Sequence, residues 1–130
     1  MPRSEQWRIL LVDDVPAWRA IVRDMLPTGS RSVGEASDGP EAVSKATQLQ
    51  PDVVILDIGL PGFNGIHAAK LIRQACPRTK IIFLSQQADP DIVRAALTVG
   101  EAYVVKAQVN RDLPSAITKV LQAAPAALPL

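Results

Sequence analysis

The sequence contains few of the features that define secreted, membrane-spanning or nucleic-acid-binding proteins. A single cysteine, Cys76, excludes an internal disulfide framework and a cysteine-rich zinc site. No apolar run approaches the roughly 20 residues of a membrane-spanning helix, and the opening MPRSEQWR lacks the apolar region of a secretory signal. The net charge of +1 argues against a large electrostatic footprint for nucleic acid or anionic lipid. We therefore expect a soluble cytoplasmic protein that contacts neither nucleic acid nor a membrane directly.

The composition is typical of one compact domain, with 130 residues of which 48% are apolar and 21% charged. Five short apolar runs predict strands: Trp7–Val12, Val33–Ala36, Val53–Leu56, Ile81–Leu84 and Ala102–Val105. Segments with helical spacing of apolar residues lie between them, and prolines stand where helices should start: Pro16, Pro40 and Pro90. Ile92, Val93, Ala96 and Val99 fill the fourth predicted helix, which Gly100 would end. The alternation predicts an α/β fold with a parallel sheet covered by helices on both faces.

Polar side chains follow four of the five predicted strands. Asp13 and Asp14 come after the first strand, and the third, fourth and fifth strands are followed by Asp57, Ser85 and Lys106. In open α/β sheets, ligands bind beyond the carboxyl ends of the strands. We therefore expect these five side chains to converge at one edge of the sheet.

The chemistry of such a cluster indicates a phosphoryl acceptor. Three neighbouring carboxylates need a cation, and their oxygen atoms suit Mg2+. A carboxylate can attack phosphorus to give an aspartyl phosphate, while a metal ion and a lysine neutralise charge on the transferring group. A hydroxyl group supplies one more hydrogen bond to a phosphoryl oxygen.

These residues, together with the run PDVVILDIGLPGFNGI, resemble the receiver domain of two-component response regulators. The segment VGEASDGPEAV and the absence of proline after Lys106 are most similar to the LuxR/NarL/FixJ-type subfamily. The resemblance implies a flavodoxin-like (βα)5 doubly wound fold with a five-stranded parallel sheet of order 2-1-3-4-5. It assigns residues 7–122 to the receiver, 1–6 to an N-terminal tail, and 123–130 to a tail or the start of a linker to a missing output domain.

The resemblance also assigns roles to individual residues. Asp57 would accept the phosphoryl group from a phosphohistidine of a sensor histidine kinase or a phosphotransfer protein. The Mg2+ ion would be held by Asp13, Asp14, Asp57 and the backbone carbonyl of Gly59. Lys106 would pair with the phosphoryl oxygens, Ser85 would move towards them, and Tyr103 would follow as an aromatic switch. Such a domain switches an output, here transcription through a separate DNA-binding domain, is not a conventional turnover enzyme, and can form a homodimer.

Some features leave other interpretations open. Gln86 stands where receivers usually have a small residue and could crowd the phosphoryl group, and Gln87 stands where they tune dephosphorylation. A phosphorylation-independent docking or dimerisation module is therefore an alternative. Tyr103 could be an ordinary half-buried strand aromatic, and Trp18 is interpreted as a packing residue. A flavodoxin-like cofactor binder is disfavoured, because DDVPAW replaces the expected phosphate-binding loop.

Overall fold

A computed structural model describes residues 7–122 as a parallel five-stranded sheet of order β2-β1-β3-β4-β5. The strands are β1 (Trp7–Val12), β2 (Ser30–Ala36), β3 (Val53–Asp57), β4 (Lys80–Ser85) and β5 (Ala102–Val105). The predicted fold and strand order are confirmed. The tail and linker predicted for residues 1–6 and 123–130 lie outside the described residues, so the domain boundaries stay a prediction. Within 7–122, no helix is both long and apolar enough to cross a bilayer.

Five helices flank the sheet, the first four between successive strands and the fifth after β5: α1 (Pro16–Asp24), α2 (Gly39–Leu49), α3 (Gly65–Ala75), α4 (Pro90–Leu97) and α5 (Val109–Gln122). Proline occupies the first or second position of α1, α2 and α4, where its missing N–H has no intrahelical partner to lose. Asp38 and Asn64 cap α2 and α3 by accepting hydrogen bonds from Glu41 N and His67 N. A short 3-10 turn, Lys106–Gln108, joins β5 to α5.

The hydrophobic core has two halves, one on each face of the sheet. Successive strand residues point to opposite faces, so Leu10 and Val12 face α2 and α3, whereas Ile9 and Leu11 face α1 and α5. The three central strands are buried on both faces, which explains why their sequences are continuously apolar rather than alternating.

Two element boundaries differ from the sequence prediction. Strand β2 begins at Ser30, three residues before the predicted run starting at Val33, because an edge strand tolerates polar residues that a purely apolar criterion misses. The prediction that α4 includes Val99 was wrong, since the helix ends at Leu97. Thr98 Oγ1 donates to Ala95 O at 2.7 Å and closes that last turn.

Arg73 and Glu101 tie the end of α3 to the loop before β5. Arg73 donates to both carboxylate oxygens of Glu101, at 2.9 and 3.0 Å, and to the carbonyl oxygens of Thr79 at 2.6 Å and Val99 at 2.7 Å. Glu101 Oε1 also accepts the backbone N–H of Ile81 at 2.7 Å. A single carboxylate thus satisfies both a guanidinium and a strand N–H.

Replacement of Glu101 by alanine is expected to destabilise the fold by about 1–2 kcal/mol, mostly through the unpaired N–H of Ile81. The ion pair itself is partly exposed and contributes less. Urea unfolding measures the change. Glu101→Gln is the matched control, because its amide oxygen can still accept from Ile81, and it should lose about half as much or less. Equal losses in both variants would assign the effect to the ion pair instead.

Candidate functional site

The two adjacent aspartates lie where the chain leaves β1 and before α1 begins. Asp13 is buried, and its Oδ1 accepts the N–H of Val15 at 2.9 Å, while its own N–H donates to Ala36 O at 3.1 Å. Asp14 is exposed. This local turn allows two consecutive carboxylates to approach one site, which a continued strand would prevent.

Asp57 is the last residue of β3 and completes a group of three carboxylates. One oxygen from each of Asp13, Asp14 and Asp57 lies within 4.8 Å of the others. Asp57 is buried, and its Oδ1 accepts the backbone N–H of Gly59 at 3.2 Å. The predicted convergence of the three carboxylates is therefore seen in the structure.

Lys106 brings a buried positive charge to this group. Its Nζ lies 2.8 Å from Asp13 Oδ2 and 3.5 Å from Asp57 Oδ2, and its side chain is only 5% exposed. Lys106 begins the 3-10 turn after β5, at the same edge of the sheet as Asp13 and Asp57. Two acidic side chains share this one cation.

The pKa of Asp57 is raised above its ordinary value of 3.8, chiefly because burial disfavours the charged carboxylate. The nearby ammonium of Lys106 opposes this increase, and the charge of Asp13 adds to it. The N–H of Gly59 also favours the ionised form. Ionisation of Asp57 therefore has an energetic cost in the folded chain, and an additional cation would reduce that cost.

These carboxylates can accommodate a metal ion. Asp13 Oδ2 is buried and makes no hydrogen bond within the described chain, since its contact with Lys106 has ion-pair distance but not hydrogen-bond geometry. Oxygen atoms that are clustered, anionic and incompletely satisfied suit a hard cation such as Mg2+. The side chains of Asp13, Asp14 and Asp57 thus fit such an ion.

Ser85 and the two glutamines that follow it line the same cleft as Asp57 and Lys106. Ser85 is buried, and its Oγ accepts the N–H of Gln87 at 3.2 Å. Gln86 and Gln87 are exposed. Tyr103 is half-buried, and its hydroxyl donates to the backbone carbonyl of Gln87 at 2.8 Å. This bond links Tyr103 to the loop between β4 and α4.

An open cleft of about 300 Å³ joins most of the predicted site residues: Asp14, Asp57, Gly59, Ser85, Gln86, Gln87 and Lys106. Asp13 lies beside it, in contact with Lys106. Tyr103 does not line the cleft and reaches it only through its bond to Gln87. Gln86 lines the cleft, and its predicted effect on access to Asp57 stays a prediction.

Sequence reasoning missed two residues of α1 that contact the site. Arg19 donates to the backbone carbonyl of Asp13 and, through Nε, to Glu35 Oε1 at 2.8 Å. Trp18 places its ring 4.8 Å from Lys106 Nζ, measured to the ring centroid. Both lie in the first turns of the helix that follows the acidic pair, but apolar spacing predicts only which face of that helix is buried and does not identify them as site residues.

A doubly wound α/β domain with three carboxylates and a buried lysine at the edge of its sheet is typical of phosphoryl-accepting signalling domains. The family described as the response regulator receiver domain matches residues 9–118. The chain belongs to this family, the receiver domains of two-component signal transduction.

Individual relatives agree with this assignment. Chemotaxis protein CheY of Thermotoga maritima is 36% identical over 115 residues, covering 87% of this chain and 96% of CheY. Response regulator protein VraR of Staphylococcus aureus is 30% identical over 115 residues, covering 86% of this chain. A two-component response regulator of the LuxR family from Aurantimonas sp. SI85-9A1 has a TM-score of 0.85 at 31% identity, covering 91% of this chain and 86% of that one. The predicted likeness to LuxR-type regulators is confirmed.

Proposed function

We propose that this receiver accepts a phosphoryl group on Asp57 in a Mg2+-dependent reaction. The observation that carries the proposal is the position of the Asp57 carboxylate, grouped with those of Asp13 and Asp14 and 3.5 Å from the ammonium of Lys106. Asp57 also lines the open cleft, so a phosphodonor can approach it.

In the proposed reaction, a carboxylate oxygen of Asp57 forms a bond to phosphorus as the bond from phosphorus to the donor nitrogen breaks. The electron pair of that bond stays on the imidazole of the donor histidine kinase or phosphotransfer protein. Lys106 and Ser85 stabilise the phosphoryl oxygens by charge and by a hydrogen bond. Later hydrolysis of the aspartyl phosphate resets the domain, which acts as a switch rather than as a conventional turnover enzyme.

Asp13, Asp14 and Asp57 would hold the Mg2+ ion, with the backbone carbonyl of Gly59 as a further ligand. When bound, the ion would neutralise negative charge on the phosphoryl group. Asp13 keeps its orientation through the turn at Val15 and through Arg19, which holds its backbone carbonyl. These contacts leave its second oxygen, Oδ2, free of hydrogen bonds within the described residues.

Treatment with acetyl phosphate and Mg2+ is expected to add the mass of one phosphoryl group to the intact protein. Intact-mass spectrometry measures the gain, and a chelator should prevent it. Asp57→Asn is expected to remain at the unmodified mass, because an amide oxygen is a poor nucleophile. Asp52→Asn offers a matched control, since Asp52 lies at the opposite end of β3 and should leave the gain intact. A gain of equal size in Asp57→Asn would contradict the proposal.

We propose that phosphorylation changes binding at the surface formed by α4, β5 and α5. Tyr103 supports this route because its hydroxyl donates to Gln87, in the loop that directly follows Ser85. A groove of about 710 Å³ lies beside Tyr103, lined also by Arg111 and Lys119 of α5. A shift of Ser85 towards a phosphoryl group would disturb this loop and change what the surface binds, including a second copy of the chain.

The chain spans 55% of the length of VraR, so any output of a whole protein is a further proposal. The likeness to LuxR-type regulators supports transcription control through a separate DNA-binding domain. The alternative of a phosphorylation-independent docking module is not favoured. Its sequence support is Gln86, and that side chain is exposed where it lines the cleft.

A further inference from the structure

Trp18 makes a contact with the phosphorylation site that its spacing in the sequence does not indicate. It lies in α1, where it packs against the half of the core formed with α5. The face of its ring also receives the ammonium of Lys106, at 4.8 Å from the ring centroid. A tryptophan face attracts a cation through its negative quadrupole, and the attraction increases when water is excluded.

Water is largely excluded here, because the Lys106 side chain is 5% exposed. The ammonium has Asp13 Oδ2 at 2.8 Å, Asp57 Oδ2 at 3.5 Å and the Trp18 ring as its charged or polarisable neighbours. A cation held by Asp13 would compete with Lys106 for that carboxylate. Neither a metal ion nor a phosphoryl group would compete with Lys106 for its contact with the Trp18 ring.

We propose that Trp18 is a positioning residue that holds the ammonium of Lys106 beside Asp57, so that the incoming phosphoryl charge meets a cation already in place. The inference rests on the proposed function of Asp57. A lysine has a long, flexible stem, and an apolar residue of similar size would pack in the core without restraining its charged end. The aromatic face of Trp18, rather than its volume, is the property that holds the Lys106 ammonium.

Replacement of Trp18 by leucine is expected to slow phosphorylation by acetyl phosphate about thirtyfold, which is the factor that corresponds to loss of a desolvated cation–π contact. Trp18→Phe keeps a weaker aromatic face and should be slowed about twofold. Intact-mass spectrometry over time gives the rates, and urea unfolding checks that each variant is folded. Trp7→Phe is the matched control, since the exposed Trp7 lies at the start of β1, and it should keep the wild-type rate.

Fluorinated tryptophan separates the electronic role from packing. In the Trp7→Phe protein, Trp18 is the one remaining tryptophan of the two in the sequence, so biosynthetic labelling alters it alone. Successive fluorination weakens the ring quadrupole with little change in size. The phosphorylation rate should fall stepwise with fluorination, whereas the urea midpoint should barely change. The same labelling in a Lys106→Met background should have no effect on the rate.

A second measurement reports the contact without any phosphorylation. The ε-methylene protons of Lys106 should show a ring-current shift in the NMR spectrum that is lost in Trp18→Leu. Fluorination without effect on the rate, in a protein that does gain phosphoryl mass, would overturn the role of Trp18 and leave the proposed function intact. Failure of the unsubstituted protein to gain mass would overturn both.

Discussion

Replacement of Lys106 by methionine is expected to destabilise the metal-free protein by about 3 kcal/mol at neutral pH, because it leaves a buried charge without its partner. The side chains of Asp13 and Asp57 are 5% and 9% exposed, and both lie within 3.5 Å of the Lys106 ammonium. Methionine fills a similar volume, so the loss is electrostatic rather than a cavity effect. Urea unfolding in the presence of a chelator measures it.

The stability lost in Lys106→Met should depend on pH in a definite direction. The pKa of Asp57 is already raised above 3.8, and removal of the Lys106 charge removes the largest influence that lowers it. A carboxyl group with a higher pKa in the folded chain than in the unfolded chain binds more protons when folded. The folded state therefore loses stability as the pH rises from 3.8 through the raised pKa. The deficit of Lys106→Met should be smallest in acid and fully developed above that pKa.

Two further variants test this explanation. Adding Asp57→Asn to Lys106→Met should recover part of the lost stability, because Asp13 no longer faces a second buried carboxylate although it still lacks the ammonium. Lys119→Met removes an exposed lysine of α5 and should change stability by less than about 0.5 kcal/mol. Mg2+ should stabilise Lys106→Met more than the wild type, since the ammonium no longer competes for Asp13. A deficit independent of both pH and Asp57 would point to lost packing instead.

The sequence predicted the sheet well because its signals are local. The bounds of β1 and β5 match the predicted apolar runs 7–12 and 102–105. The convergence of Asp13, Asp57 and Lys106 followed from the same reasoning, since parallel strands bring their carboxyl ends to one edge.

The contacts made by helices could not be predicted in this way. The pairing of Arg73 with Glu101 and of Trp18 with Lys106 depends on how each helix is rotated and placed against the sheet. Apolar periodicity shows which face of a helix is buried, but it does not identify the polar or charged group met at the margin of that face. The two α1 residues at the site were missed for this reason.

Replacement of Gly65 by alanine is expected to destabilise the fold by about 2–3 kcal/mol, because the new methyl group has no room. A Cβ at Gly65 would lie 2.3 Å from the carbonyl oxygen of Asp57 and 2.7 Å from the Cα of Ile58. Both atoms belong to the backbone, so no side-chain rotation can relieve the overlap. The start of α3 and the end of β3 must separate, which also strains the hydrogen bond from Gly65 N to Ile58 O, now 2.7 Å long.

This separation should affect the site as well as stability, because the backbone that must move carries the Asp57 carboxylate. Gly65→Ala is therefore expected to accept phosphoryl groups from acetyl phosphate more slowly even at temperatures where it is fully folded. Gly59→Ala is the matched control for stability, since a Cβ there meets nothing within 4 Å, and it should change the unfolding free energy by less than about 0.5 kcal/mol. Equal urea midpoints for the two variants would contradict this prediction and show that the junction of β3 and α3 can accommodate a methyl group at little cost in stability. In that event the orientation of Asp57 would have to be fixed by Gly59 N and Lys106 alone.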